Sequence, residues 1–316
     1  MKTIRVGVIG VGHLGQHHAR LLQAIDGAEL VGVYDTNQNR AAEIVGRHGS
    51  TVVRDPGELL SMVDAVTIAA PTVHHTALAL PFLTAGIATL VEKPMASHLE
   101  EADRLIAAAD DGRALLAVGH TERFNPAVVV ARPLVTDPRF IEVHRLGTFP
   151  ERSLDIDVIF DVMIHDLDLI LALVGSDVVS IEAVGVHVLT SKADIANARL
   201  RFASGCIANI TASRISRERV RRARFFQHDA YVSIDFGAQE VEMYRLDRGG
   251  TRPVIQGGAV AVAREEPLRR ELEDFVDAVR TGRAPGVTGR DGRAALALAT
   301  RVAEKMEGHE HVSSTR

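Results

Sequence analysis

The amino terminus constrains this chain more than any other segment. Ile4-Arg-Val-Gly-Val-Ile9 reads as a buried strand and runs straight into Gly10-Val-Gly12-His13-Leu14-Gly15, after which a helix is expected from Gln16 to about Ile25. In such a turn Gly10 permits the tight bend, Gly12 lets the backbone approach a pyrophosphate, and Gly15 allows close packing of helix on strand, with the helix N-terminus facing the anion. A glycine loop alone is a weak signal, since chance produces it. It gains weight because the next strand, Glu29 to Tyr34, ends in Asp35, where an acid can accept hydrogen bonds from an adenosine ribose. A carboxylate there also repels the 2′-phosphate of NADP, so NAD is the expected cofactor and NADP the second choice. Arg40, on the following helix, could still cover a phosphate; its plain reading is a solvated helix residue.

Short apolar strands and helices keep alternating beyond this turn. Ala65 through Val91 contains no Asp, Glu, Lys or Arg and is long enough to span a bilayer. Pro71, His74, His75, Pro81 and Gly86 instead divide it into a strand (Ala65 to Ala69), a loop, a helix (about Thr76 to Ala85) and a second strand (Thr89 to Val91). With Leu115 to Gly119 this completes a doubly wound parallel α/β domain, expected over residues 1–120. The pattern then changes. Phe140 to Leu146, Val178 to Leu189, Ala196 to Phe202, Cys206 to Ser213, Ala230 to Phe236 and Gln239 to Tyr244 read as strands of a large, mostly antiparallel sheet. A helix is expected at about Val158 to Val174, with closing helices at Leu268 to Arg280 and Arg290 to Glu307 and a frayed tail from Gly308. Residues 121–316 are therefore expected to form an α+β domain, with closing helices that can pack back on the first domain.

Composition supports two cores and limits the partners. The chain has 316 residues, 46% of them hydrophobic, and a formal net charge of −5, which gives no general attraction to nucleic acid or anionic membranes. The single cysteine, Cys206, excludes an intramolecular disulfide and suits a reducing cytoplasm, the expected location. It reads as a small buried residue. The apolar run at the amino terminus is broken by glycines and lacks the cleavage pattern of a signal peptide.

Two places carry candidate chemistry. Lys93 ends the apolar strand Thr89-Leu-Val-Glu92-Lys93-Pro94, and ligands of open α/β sheets sit outside the carboxyl ends of the strands. A lysine beside a nicotinamide can polarise a substrate oxygen, and Pro94 makes a cis Lys93-Pro94 bond possible. The second place is Asp161-Val-Met-Ile-His165-Asp166-Leu-Asp168. Asp161, His165 and Asp168 share one face of an otherwise apolar helix, and a buried ionisable stripe is costly unless its members are paired or used. His165 also has a plain reading, as a hydrogen-bonded core histidine.

At this point the chain resembles the Gfo/Idh/MocA family of nicotinamide-dependent sugar and polyol oxidoreductases, over essentially its whole length. The matching elements are Gly10-Val-Gly12-His-Leu-Gly15, Pro71-Thr-Val-His-His75, Glu92-Lys93-Pro94, Gly119-His-Thr-Glu-Arg123-Phe-Asn-Pro126 and Asp161-x-x-x-His165. The resemblance implies a Rossmann domain, and a second domain whose sheet covers the cofactor and often forms a subunit interface, hence a homodimer or homotetramer. It puts Lys93 and His165 in the positions of the catalytic pair and Asp161 in that of the acidic companion. Gly10, Gly12, His13, Leu14, Gly15, Asp35, Pro71, His75, Glu92, Lys93 and Arg123 take cofactor positions. An ion pair explains Arg123 nearly as well. The side chains of His13, His17, His18 and His74 read as ordinary helix or loop residues, and the role of His120 stays open because many members carry Asn before the Arg-Phe pair.

Substrate is implied more narrowly by three segments, Gly119 to Pro126, Phe160 to Asp168 and Phe226 to Asp235. They look like a branch that oxidises the 3-hydroxyl of UDP-N-acetylglucosamine to a 3-keto sugar nucleotide, which is then aminated toward diamino sugars of lipid A or surface polysaccharide. The arginines between Arg214 and Arg224 suit a diphosphate, although a strand edge or an interface explains them too. Another sugar, polyol or keto-sugar remains the alternative within the family. A regulator that senses NAD, and metal chemistry at Asp161, His165 and Asp168, are the rivals outside it; no metal is expected.

Overall fold

The computed structural model describes residues 2–149, 156–249 and 252–313, with side chains through residue 306. The chain divides into two compact units. The first runs through Thr121 and takes up Glu266–Leu296; the second comprises Glu122–Glu265 and the chain from Ala297 onward.

The first unit is built on a six-stranded parallel sheet: β1 (Ile4–Ile9), β2 (Ala28–Tyr34), β3 (Thr51–Val52), β4 (Ala65–Ile68), β5 (Ala88–Glu92) and β6 (Leu116–Gly119). Their order is β3-β2-β1-β4-β5-β6, so the winding reverses between β1 and β4, where such sheets bind ligands. Every residue of β4, β5 and β6 is buried, as expected of parallel strands covered on both faces. The covering helices include α1 (Gly15–Leu22), α2 (Gln38–His48), α3 (His75–Thr84) and α4 (Leu99–Gly112). The charge-free stretch expected to be strand, helix and strand is β4, α3 and β5. Among the described residues no helix is long and apolar enough to cross a membrane.

The second unit carries α5 (Pro126–Ala131), β7 (Phe140–Leu146), α6 (Ile164–Val174), β8 (Val178–Val186), β9 (Ile195–Phe202), β10 (Ile207–Ser213), β11 (Val220–Phe226), β12 (Ala230–Asp235), β13 (Glu240–Asp247) and β14 (Val254–Val260). Its sheet runs β14-β13-β12-β11-β7-β10-β9-β8, antiparallel except for the β7–β10 pair. Ile141, Val143, Ala198, Leu200, Ala208, Ile210, Ala223, Phe225, Val232 and Ile234 bury one face. On the opposite face Phe140, Phe226, Tyr231 and Tyr244 fall in register across four strands, with successive ring centroids 5.7, 5.2 and 6.3 Å apart.

Three expectations change. β11 and β14 were not anticipated, because arginines interrupt the apolar alternation of Val220-Arg-Arg-Ala-Arg-Phe-Phe226 and a glycine pair dilutes β14. The helix expected from Val158 begins as a π-helical turn, Ile159–Met163, and only then becomes α6. The segment from Gly308, expected to fray, continues α8 (Gly289–Ser313); 314–316 lie outside the described residues. The closing helix α7 (Pro267–Thr281) places Leu268, Leu272, Phe275 and Val276 in the same apolar cluster as Val6 and Val8 of β1 and Leu21 and Leu22 of α1.

That packing makes α7 part of the first core. Leu272 is fully buried, so Leu272→Ala should destabilise the protein by about 2–5 kcal/mol, read as a lower urea midpoint.

Candidate active site

The turn after β1 has the geometry its glycines suggested. Gly10 adopts φ +82°, and a Cβ there would lie 2.9 Å from the carbonyl oxygen of Ala69. A Cβ on Gly15 would stand 1.7 Å from the Gly10 carbonyl oxygen, whereas one on Gly12 would meet no protein atom within 4 Å. Glycine at 10 and 15 is therefore demanded by the fold, while glycine at 12 leaves open space along the backbone. α1 starts beside that space with no side-chain cap and no acid in its first turn, so its orphan N–H groups suit an anion. His13 is exposed and Leu14 half-buried.

Asp35 and Arg40 brace this turn from the far side. The Val11 N–H donates to Asp35 Oδ2 at 2.8 Å, and the Asn37 N–H to Oδ1 at 2.8 Å. Each carboxylate oxygen retains a lone pair for a ribose hydroxyl. Arg40 donates to the Val11 carbonyl at 3.1 Å, to Gln16 at 2.7 Å and to Glu43 at 2.6 Å. Its guanidinium is held by the protein rather than reaching over a phosphate, and these residues fit NAD.

The next positions expected to serve the cofactor lie at the ends of β4 and β5. Pro71 is exposed at the start of a short 3-10 turn. His75 is fully buried, with Nε2 2.8 Å from the Ala70 carbonyl oxygen and Nδ1 3.0 Å from that of Pro94. It ties the loop after β4 to the turn after β5, and burial lowers its pKa against the opposing pull of those carbonyls. Lys93 is half-buried where β5 ends, and the Lys93-Pro94 bond is cis. Glu92 turns inward, its Oε1 3.1 Å from Nε2 of His18. The fully buried His18 is thus no ordinary helix residue.

In the second unit, Asp161 and His165 are half-buried on the π turn and on α6. The acids that flank them are latched. Asp166 receives two bonds of 2.8 Å from Arg145, which also donates to Glu122 at 2.8 Å and lies 5.2 Å from the Phe236 ring. Asp168 receives two bonds of 2.7 Å from Arg123. Ion pairs on either side of Leu167 fix the rotation of α6 about its axis, and hence the direction of His165 two residues before. Burial works against ionisation at Glu122, but the charge and hydrogen bond of Arg145 outweigh it and hold its pKa below the usual value. Burial raises Asp166, with Arg145 opposing.

These pairs settle several alternatives left open by the sequence. Arg123 is engaged by Asp168, which removes one carboxylate from the metal reading of Asp161, His165 and Asp168. Arg214 is buried and donates to Asp194 at 2.9 Å and to the Ile156 carbonyl at 2.7 Å, so it braces the fold rather than meeting a diphosphate. Arg222 pairs with Asp235 and Arg224 with Glu142, whereas Arg217, Arg219 and Arg221 are exposed. Burial pushes the Cys206 thiol up to about 11, consistent with a packing role. His120 is buried past the end of β6.

A nucleotide-binding parallel sheet joined to a large sheet-bearing unit defines a class of oxidoreductase. Residues 4–120 match the model of the oxidoreductase family with an NAD-binding Rossmann fold, and residues 100–231 match the Gfo/Idh/MocA C-terminal domain. The chain belongs to the Gfo/Idh/MocA oxidoreductase family. It is 44% identical over 312 residues to UDP-N-acetylglucosamine 3-dehydrogenase of Acidithiobacillus ferrooxidans, covering 97% of this chain and 98% of that one. A solved structure of that enzyme superposes with a TM-score of 0.91 at 42% identity, covering 98% and 99% of the two chains. Inositol 2-dehydrogenase of Rhizobium meliloti is 32% identical, covering 94% of this chain and 95% of its own.

Truncating Arg145 would leave the buried Asp166 and the half-buried Glu122 without their cation. Arg145→Ala should therefore cost about 3–5 kcal/mol of stability, measured by urea unfolding.

Proposed function

We propose that this protein is an NAD-dependent sugar-nucleotide dehydrogenase that oxidises the 3-hydroxyl of a UDP-N-acetylhexosamine, UDP-N-acetylglucosamine first, to the 3-keto sugar. The observation that carries this reading is the 44% identity to UDP-N-acetylglucosamine 3-dehydrogenase across nearly all of both chains. Fold alone would not select a sugar.

NAD, when bound, supplies the hydride acceptor. Gly10, Gly12 and Gly15 with the start of α1 would hold its pyrophosphate, and Asp35 its adenosine ribose. Lys93 donates a hydrogen bond to the substrate oxygen and stabilises the negative charge that grows there as hydride leaves the same carbon. His165 accepts the hydroxyl proton as general base, oriented by its latched helix and assisted by Asp161. Water is a poor substitute for these groups because it must reorganise as the charge forms. The location proposed is the cytosol, and the aromatic row Phe140, Phe226, Tyr231 and Tyr244 is the proposed seat of homodimer or homotetramer contacts.

The deciding experiment is incubation with NAD and a panel of UDP-sugars and myo-inositol, following reduced nicotinamide, with an aminotransferase present to trap an unstable keto product. Turnover of inositol without turnover of any sugar nucleotide would replace this reading by the polyol one. Lys93→Met should bind NAD normally while kcat falls by about two to three orders of magnitude; near-normal turnover would remove Lys93 from the mechanism. Asp35→Ser should narrow the ratio of kcat/KM for NAD over NADP by about tenfold or more, as steady-state kinetics with both cofactors would reveal.

A further inference from the structure

Behind Lys93, within the first unit, three ionisable side chains are buried together. His18 of α1, Glu92 of β5 and Glu271 of α7 each place a ligand-capable atom within 4.8 Å of the others, and all three are buried. Glu92 is the centre. Its Oε1 lies 3.1 Å from His18 Nε2, and its Oε2 accepts the backbone N–H of Lys93 at 3.2 Å. Room for this carboxylate comes from Gly119 on β6, where a Cβ would stand 2.7 Å from it. Glu271 sits in the apolar stripe of α7 between Leu268, Leu272 and Phe275, and neither of its carboxyl oxygens has a hydrogen bond of normal geometry from the protein.

The groups facing Glu271 cannot neutralise an anion there. They are Glu92 across the cluster, the Thr121 hydroxyl after β6, and Asp274 one turn along α7, itself paired to Arg283 at 2.8 Å. Among the described residues no Lys or Arg pairs with Glu271. A proton must lie between His18 Nε2 and Glu92. The other nitrogen, Nδ1, is buried without a partner, which favours the Nε2–H tautomer with a lone pair at Nδ1. Two carboxylates beside that ring would leave two buried negative charges and no cation. A metal ion fits poorly, since it would need the Nε2 lone pair and leave an Nδ1–H with no acceptor, whereas metal-bound histidines almost always donate that hydrogen.

We propose that Glu271 is a carboxylic acid in the native protein, and that this buried trio of Glu271, Glu92 and His18 holds the backbone of Lys93 in place. Glu271 is then a positioning residue for the reaction proposed above, on which its functional meaning rests. Burial and the charge of Glu92 keep its carboxyl protonated well above the usual carboxylate range. In the unfolded chain Glu271 ionises near the ordinary value of 4.5, so its contribution to stability is fully present below that pH and is lost as pH rises through the folded pKa.

Glu271→Gln, which mimics the protonated acid, tests this. Its stability relative to wild type should rise as pH increases above about 5, and an infrared band of a protonated carboxyl present in wild type at neutral pH should vanish. Glu271→Ala should raise amide exchange about tenfold or more in the peptide carrying Lys93, and Gln should restore protection. In UDP-N-acetylglucosamine turnover, Ala should lower kcat about ten- to a hundredfold with little change in NAD affinity, and Gln should recover most of it. The infrared and exchange measurements need no substrate, so absent turnover would sink the proposed substrate and leave this inference to those two. Should Gln fail to fold, loss of that wild-type infrared band in Glu271→Ala decides. Absence of the band, a Gln variant as destabilised as Ala across that pH range, or stoichiometric zinc or manganese bound at the trio would overturn it.

Discussion

A buried charge without a partner costs several kcal/mol, a large fraction of the 5–15 kcal/mol by which domains are stable. That constraint arranges the polar interior of both units. In the second it is met by arginine. Arg145 binds Asp166 and Glu122, Arg123 binds Asp168, and Arg214 binds Asp194. Each pair joins segments distant in the chain, so each also fixes a geometry. Two of them grip α6 on either side of Leu167, and the half-buried His165 is presented by the helix they hold. Such pairs need not raise net stability over an apolar core. Their value here is directional, because an apolar helix face can rotate or slide and a bidentate guanidinium–carboxylate pair cannot.

The first unit meets the same constraint differently, because its function needs open backbone. The turn at Gly10 to Gly15 admits no Cβ at its two ends and leaves space at its middle. Asp35 and Arg40 support it through the N–H and C=O of the same residue, Val11. One contact comes from the end of β2 and the other from α2, so two elements hold the turn without covering it. His75 does similar work between the ends of β4 and β5 by binding two carbonyls. The side chains around the nucleotide turn thus shape backbone more than they offer themselves.

What could be read in the sequence was what depends on neighbours in the chain. The strand, glycine turn, helix and Asp35 stand in one short stretch, and the charge-free run from Ala65 to Val91 carries its own breaks. The partners of buried charges are different. Nothing local at Arg123 points to Asp168, nor at Arg214 to Asp194, since the fold alone brings them together. The π turn at Ile159–Met163 was equally hidden, because its residues, Asp161 apart, are apolar and helical by any period. β11 was masked by the same arginines that suggested a phosphate site. In the folded sheet Arg222 and Arg224 stand on the face opposite Ala223 and Phe225, paired to Asp235 and Glu142.

One signal for the hidden sites was nonetheless present, as a breach of period rather than a motif. On α7 the apolar stripe Leu268, Leu272, Phe275 and Val276 contains Glu271, and on α6 buried apolar residues surround Asp166 and Asp168. An acid at a position the helix must bury has three outcomes, which are a cation, a proton or loss of the fold. Asp166 and Asp168 take the first, with arginines from other elements. Glu271 has Glu92 and His18 for neighbours and no arginine, which leaves the second. The acids that break an apolar period therefore lie beside the proposed catalytic residues in each unit, one and three residues from His165 on α6 and, through Glu92, one residue from Lys93 just past β5.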